Sequence, residues 1–271
     1  MNLMTVSQLT SRDNPLLKTI RLVSSGSRRA PKQLVIAEGI RVLEEVENAG
    51  SEIEAVVFSA DFGSTTRGKN LLEAWLAKGL RVHKVSGALF RSISTVDTPQ
   101  GAIALVRVPE LTLENIRPGD CALVLCACEV QDPGNLGTLI RSAAAAGASL
   151  VCTTQGTVSA RNAKAVRSSA GSFFRMPVLE HIALSEFRNY CETRSIRLYR
   201  ADARKGVIYT DADLKSPCAI LLGNEGAGLA GGEYSELPAI RIPLSRGIES
   251  LNVAIAGAVI LFEARRQRSE I

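Results

Sequence analysis

The rhythm of apolar and polar positions divides this 271-residue chain into two α/β stretches. In the first, Asp13 and Asn14 followed by Pro15 mark a helix start. A capping side chain satisfies an opening amide donor, and a proline in the first turn lacks one. Leu16, Leu17, Ile20 and Val23 then recur at helical spacing. Residues 24–31 form a polar, basic break. Strands are predicted beyond it over 34–37, 53–58, 81–85 and 102–108. Helices are predicted over 39–48 and 70–78, ending at Gly50 and Gly79.

Residues 109–120 hold two prolines, a glycine and several charges. They place a boundary between a domain over 1–110 and one over 111–271. The alternation then restarts. Residues 122–127 are almost continuously apolar, the signature of a parallel-sheet strand covered on both faces. Further strands are predicted over 149–153, 196–200, 218–222 and 239–242. The helices are 136–146, stopped by Gly147, then 162–167, 185–194 and about 249–268. No internal repeat or low-complexity tract interrupts the pattern.

Composition adds three constraints. Hydrophobic residues make up 46% and charged residues 22%, as in folded soluble proteins. Aromatics reach only 4%, so the core is built from Val, Leu, Ile and Ala. A net charge of +5 leans toward a polyanionic partner. Residues 1–41 concentrate that charge in Arg12, Lys18, Arg21, Arg28, Arg29, Lys32 and Arg41, against Asp13 and Glu38, and are expected to contact phosphates. Six cysteines without a C-x-x-C pair, beside only His83 and His181, argue against a zinc site and imply no metal. Free cysteines fit a reducing cytoplasm. No signal-like N-terminus and no apolar run of membrane-spanning length is evident, so no membrane partner is expected.

Three constellations carry the chemistry. Asp132-Pro-Gly-Asn-Leu-Gly-Thr-Leu-Ile-Arg141 joins a buried strand to a helix, where open α/β sheets place ligands. Pro133, Gly134 and Gly137 would shape a turn leading into the helix, whose N-terminus favours an anion. Arg141 could fork onto a phosphate. Leu221-Leu-Gly-Asn-Glu-Gly-Ala-Gly-Leu229 runs a strand into a glycine-rich loop with one carboxylate, Glu225. It is neither G-x-G-x-x-G nor a P-loop, which excludes the usual dinucleotide and triphosphate fingerprints. Ile242-Pro-Leu-Ser-Arg-Gly-Ile-Glu-Ser-Leu-Asn-Val253 ends a strand at Pro243 and opens the last helix, with Asn252 near its start.

Together the three resemble the SpoU-TrmH branch of the SPOUT methyltransferases. N-x-G-x-x-x-R is matched by Asn135, Gly137 and Arg141, and G-x-E-x-x-G by Gly223, Glu225 and Gly228. The I-P-M and S-L-N-V-S motif is matched by Ile242, Pro243, Leu244 and by Ser250, Leu251, Asn252, Val253, Ala254. Leu244 stands for the usual Met, a nearly volume-neutral change. Ala254 stands for the usual Ser and removes a hydroxyl. Ser168 to Gly171, the Phe173-Phe174-Arg175-Met-Pro177 run and Glu38-Gly39 also resemble the family.

The resemblance implies an α/β architecture. It comprises a C-terminal methyltransferase domain with a trefoil knot and a mostly parallel sheet, and a smaller N-terminal RNA-binding domain like a ribosomal protein. It implies S-adenosylmethionine as cofactor, bound by Thr153, Leu222, Gly223, Asn224, Gly228, Ile242, Leu244 and Leu251. It implies a homodimer through the C-terminal domain, and methylation of a ribose 2′-hydroxyl in RNA, ribosomal RNA first and transfer RNA as the alternative. Arg141, Asn135, Glu225 and Asn252 would be catalytic. Arg141 would grip the adjacent phosphate and stabilise charge on the attacking oxygen, since its high pKa disqualifies it as a base. The rival readings are a non-catalytic RNA binder on the same scaffold and a nicotinamide enzyme, the latter opposed by the missing fingerprint.

Overall fold

A computed structural model describes residues 6–117, 119, 122–224, 229 and 232–269. The chain forms two compact units. In the first, Asn14 caps α1 (Pro15–Ser24): its side chain accepts from the Leu16 amide at 2.9 Å, with Pro15 in the first turn. Around it run β1 (Ser7–Gln8), β2 (Leu34–Glu38), α2 (Ile40–Asn48), β3 (Glu52–Ser59), α3 (Thr66–Ala77), β4 (Val82–Val85), α4 (Gly87–Arg91) and β5 (Ala102–Arg107). The sheet order is β1-β4-β3-β5-β2, with β5 antiparallel to both β2 and β3. Leu17, Ile20, Ile36, Val57, Phe90 and Leu105 centre its core. Buried Glu38 ends β2. Its carboxylate accepts from the Thr95 amide at 3.0 Å and the Thr95 hydroxyl at 2.7 Å, and so ties that strand end to the loop before β5.

The second unit opens with β6 (Leu123–Ala127), α5 (Pro133–Ala146) and β7 (Leu150–Thr154). Next in the chain comes α6 (Ala163–Ser168), but residues 161–174 group with the first unit, α6 packing on β2. The second unit resumes with β8 (Val178–Ile182), α7 (Leu184–Glu192), β9 (Arg197–Ala201), β10 (Val207–Ile208), β11 (Cys218–Leu222), β12 (Ala239–Arg241) and α8 (Val253–Ser269). Its seven strands are parallel throughout, in the order β10-β12-β9-β11-β6-β7-β8. The two central strands, β6 and β11, are buried along their whole length, as their apolar runs require. Among the described residues no helix is long and apolar enough to cross a membrane.

Three helix starts differ from expectation, each because of a capping side chain. Thr65 Oγ1 accepts from the Gly68 amide at 3.0 Å, so α3 begins at Thr66 and not at 70. Asp132 accepts from the Asn135 amide at 2.9 Å, so α5 begins at Pro133. Pro133, Gly134 and Gly137 are thus helical and do not shape a turn. Asn252 likewise caps α8, which begins four residues later than the predicted 249. Strand β8 was not predicted, since Glu180 and His181 interrupt its apolar pattern.

Candidate active site

The site lies in the second unit, at the carboxyl ends of its central strands. Past β6 the chain turns at Glu129, whose φ of +57° lies in the left-handed region that non-glycine residues rarely occupy. Neighbouring groups hold this turn. The Glu129 carbonyl accepts from Asn224 Nδ2 at 3.0 Å, and the Val130 carbonyl from the Val158 amide at 2.9 Å. Asp132 then starts α5 and fixes Asn135 in its first turn.

Asn252 performs two tasks at once. Its Oδ1 accepts from the amides of Ala254 at 2.9 Å and Ile255 at 3.3 Å, capping α8. Its Nδ2 donates to Asn135 Oδ1 at 3.0 Å. One side-chain amide therefore fixes the start of one helix and locks it to the start of another. The two N-termini, each carrying partial positive charge, meet at residues 117 positions apart in sequence. Close packing behind this point depends on Gly257. A Cβ there would come within 2.5 Å of Leu139 Cδ2 and 2.6 Å of Leu222 Cδ1, so only glycine lets α8 lie this near α5 and β11.

Beside this junction is a cavity of about 410 Å³, within the size range of small-ligand sites. Leu222, Gly223, Asn224, Ile242, Leu244 and Leu251 all line it. Sequence reasoning missed other wall residues, notably Asp202, Arg204 and Glu249. Burial works against the Asp202 charge. The amides of Arg204 and Lys205, at 2.8 and 2.9 Å, together with the Arg200 guanidinium, outweigh it and hold the carboxyl below its ordinary pKa. The cavity wall thus keeps an ionised carboxylate. An aspartate two residues before a pair of cations was the available signal.

Thr153 is fully buried in β7, outside the lining of this cavity, and its hydroxyl accepts from the His181 amide at 3.0 Å. Arg141 is exposed on α5, six residues and about 9 Å of helix beyond Asn135. Its side chain forms no hydrogen bond or ion pair with any described residue. The structure joins Asn135 to Asn252 and does not join Arg141 to either. Glu225 and Gly228 lie outside the described residues.

In the first unit, Arg12, Arg28, Arg29, Lys32 and Arg41 are exposed. Lys18 pairs with Asp13 at 3.1 Å. Arg21 is half-buried and folds back to donate to the Arg12 carbonyl at 2.6 Å, a position less open to an external phosphate.

Comparison with known proteins adds independent findings. Residues 122–262 match the SpoU rRNA Methylase family, and residues 14–104 match the MRM3-like substrate binding domain. The chain is 29% identical over 262 residues to the 23S rRNA (guanosine(2553)-2′-O)-methyltransferase RlmP of Bacillus subtilis, covering 96% of this chain and 100% of the relative. An AdoMet-bound rRNA methyltransferase from Sinorhizobium meliloti superposes with a TM-score of 0.83 at 30% identity, covering 96% of this chain and 98% of that one. A crystal structure of an RNA 2′-O ribose methyltransferase superposes with a TM-score of 0.81 at 34% identity, with 97% and 99% covered.

Proposed function

Since this chain belongs to the SpoU rRNA methylase family, we propose that it methylates a ribose 2′-hydroxyl of ribosomal RNA with S-adenosylmethionine, using the junction of α5 and α8. The observation that carries the reading is the contact of Asn135 with Asn252 beside the lined cavity. The cavity suits the cofactor. Leucine and isoleucine walls offer an apolar slot for a purine, Gly223 leaves backbone exposed, and ionised Asp202 complements a cationic ligand. When bound, the cofactor supplies an electrophilic methyl group on sulfonium. Leu222, Gly223, Asn224, Ile242, Leu244 and Leu251 hold it.

The residues do the rest by orientation and electrostatics. Arg141, whose side chain has no partner among the described residues, is available to fork onto a substrate phosphate and stabilise negative charge growing on the attacking oxygen. Asn135 and Asn252, locked together, position the reacting nucleotide against the helix N-termini. Glu225 and Gly228 complete this set by their motif alone. A non-catalytic binder would have no need of the paired asparagines beside a ligand-sized cavity.

The reading includes a homodimer. Leu251, Ile255 and Phe262 expose 37%, 55% and 48% of their surface along the start and one face of α8, and Arg141 lies on the exposed face of the neighbouring α5. A second copy covering these residues removes an apolar stripe from water. Sedimentation of a species twice the chain's 28.9 kDa is expected, and a monomer would refute this part. The trefoil knot belongs to the same reading, supported by the return of α8 onto α5 and β11. A cytoplasmic setting is supported by the buried free cysteines. The function is tested by incubating protein-stripped ribosomal RNA with methyl-labelled S-adenosylmethionine and mapping 2′-O-methyl positions. Label on a ribose oxygen is expected; transfer to a base, or to transfer RNA alone, would overturn the reading.

A further inference from the structure

Glu129 follows β6 at the carboxyl edge of the sheet, in the run Cys128-Glu-Val-Gln-Asp132 that leads into α5. Its φ of +57° is one that glycine adopts freely and that strains a residue with a side chain. Glycine would suit this turn better, so what glutamate adds here is its carboxylate. That carboxylate is exposed and has no hydrogen-bond or ion-pair partner among the described residues. It also lies outside the lining of the cavity.

The turn is held from both flanks. Asn224 Nδ2, from the loop after β11, donates to the Glu129 carbonyl at 3.0 Å. On the β7 flank the Val158 amide donates to the Val130 carbonyl at 2.9 Å, and Gln131 Nε2 donates to the Gly156 carbonyl. The Glu129 stem lies over Gly156, where an added Cβ would come within 3.3 Å of Glu129 Cγ. The side chain thus leans toward the end of β7. Asn135 meets Asn252 on the other flank, where α8 packs on α5 and β11. Strands β7 and β11 are the two neighbours of β6, so they stand two strand spacings apart, about 10 Å. A nucleoside whose ribose sits at the α5–α8 junction is long enough to bring its base to Glu129.

We propose that Glu129 is a specificity-determining residue, accepting from N1–H and the 2-amino group of a guanine in the nucleotide to be methylated. The inference rests on the methyl-transfer reading above and deepens it by naming the base. An ionised carboxylate only accepts hydrogen bonds, and bases of unpaired RNA are read on their Watson–Crick edges. Guanine alone presents two adjacent N–H donors there. Adenine and cytosine set one amino group beside an acceptor nitrogen, and uracil sets its N–H between two carbonyls. Guanine therefore offers two charge-assisted bonds, whereas each other base sets an acceptor against the carboxylate.

The experiment first maps the methylated nucleotide in protein-stripped ribosomal RNA treated with the full chain and S-adenosylmethionine. A short RNA carrying that site is then compared with guanosine and with inosine, which lacks the 2-amino group, at the target. Wild type is expected to favour guanosine in kcat/KM by about ten- to hundredfold, the worth of one hydrogen bond to a charged group. Glu129→Gly, which relieves the left-handed backbone, should melt no lower than wild type and bind S-adenosylmethionine equally in calorimetry. It should nevertheless lose the preference, through a raised KM for the guanosine RNA. Glu129→Gln keeps the side chain's shape but turns one acceptor into a donor, and should lose the preference as well. A methyl group on a nucleoside other than guanosine, a wild type that treats guanosine and inosine alike, or variants that keep the wild-type preference would overturn the role of Glu129 alone. Wild-type protein that transfers no methyl group to ribosomal RNA would overturn it together with the methyl-transfer reading.

Discussion

The two units use their residues in different ways. In the second, a few side chains act through fixed distances: Asn252 caps one helix and donates to Asn135 on another at 3.0 Å, beside a cavity whose size matches a small ligand. In the first, several cations are displayed from held loops, and on our reading their summed charge matters more than any one placement. Methyl transfer needs three atoms aligned, so displacement of one group is costly. Grip on a polyanion degrades gradually as cations are removed. The second unit should therefore break abruptly and the first by degrees.

The sharpest break is expected at Arg141. Arg141→Ala should lower methyl transfer on the order of a hundred- to thousandfold, as loss of one charge-stabilising donor does elsewhere. Binding of S-adenosylmethionine should change little, because Arg141 does not line the cavity. Transfer of labelled methyl and calorimetry on the same preparation check both halves. Full activity in the variant would erase the contrast between the units.

Asn252 allows its two tasks to be separated. Asn252→Ala removes the cap, worth about 1 kcal/mol, together with the bond to Asn135. It should lower the melting temperature by a few degrees and activity by more than tenfold. Asn252→Asp keeps an oxygen for the Ala254 and Ile255 amides and adds a charge favoured at a helix N-terminus, but it cannot donate to Asn135. It should melt like wild type and still lose activity. If Asn252→Asp were fully active, the inter-helix bond would be a structural detail only.

The sequence made these two units unequally legible. Around α5 and α8 the local signals agree with one another: buried strand, capping residue, apolar helix, and motifs in family order. Fold class and part of the cavity wall were readable there, down to Leu222, Gly223, Asn224, Ile242, Leu244 and Leu251. What failed was partnership at a distance. Periodicity in residues 163–168 reports that Ala163, Ala165 and Val166 are buried, but not against which sheet. Their association with β2, more than a hundred residues upstream, depends on tertiary packing that no local pattern encodes. Thr153 shows a similar limit: a polar residue near a strand's end invites a ligand reading, and no local pattern announces that its hydroxyl also holds the next strand's amide. Asp202 was missed because its role depends on loop amides, which leave little trace in side-chain pattern.

Packing supplies a milder test. Gly257→Ala would place a methyl within 2.6 Å of Leu222 Cδ1, and Leu222 lines the cavity. Overpacking of about 1–3 kcal/mol opposes a helix-propensity gain of about 1 kcal/mol. A small loss of melting temperature is expected, with weaker S-adenosylmethionine binding by several-fold as Leu222 shifts. The corresponding change at Gly26 in the first unit, where nothing lies within 4 Å but φ is +63°, should cost some stability through backbone strain and leave cofactor affinity unchanged.

The smallest differences between the units are read by reporters that each carries naturally. Trp75, the only tryptophan, is fully buried against Phe62 in the first unit. All six cysteines fall in the second, and the five described are buried. Tryptophan fluorescence and pulsed thiol labelling along a urea series therefore read the two units separately. Saturating S-adenosylmethionine should move the thiol midpoint upward, by about 2.7 kcal/mol at a hundredfold excess over Kd, and the fluorescence midpoint less. Alkali should act in the opposite direction. Burial pushes the thiols of Cys152 and Cys218 up and that of Cys191 to about 12, while contact with Cys128, ahead of burial, raises Cys126. Stability gained by keeping these thiols neutral is complete below the unfolded thiol value of about 8.5 and is lost as pH rises toward the folded values. Raising the pH from about 8 to about 10 should thus lower the thiol midpoint more than the fluorescence midpoint. Parallel shifts of both reporters, with cofactor and with alkali, would mean that the units open together and that the contrast between them is not a thermodynamic one.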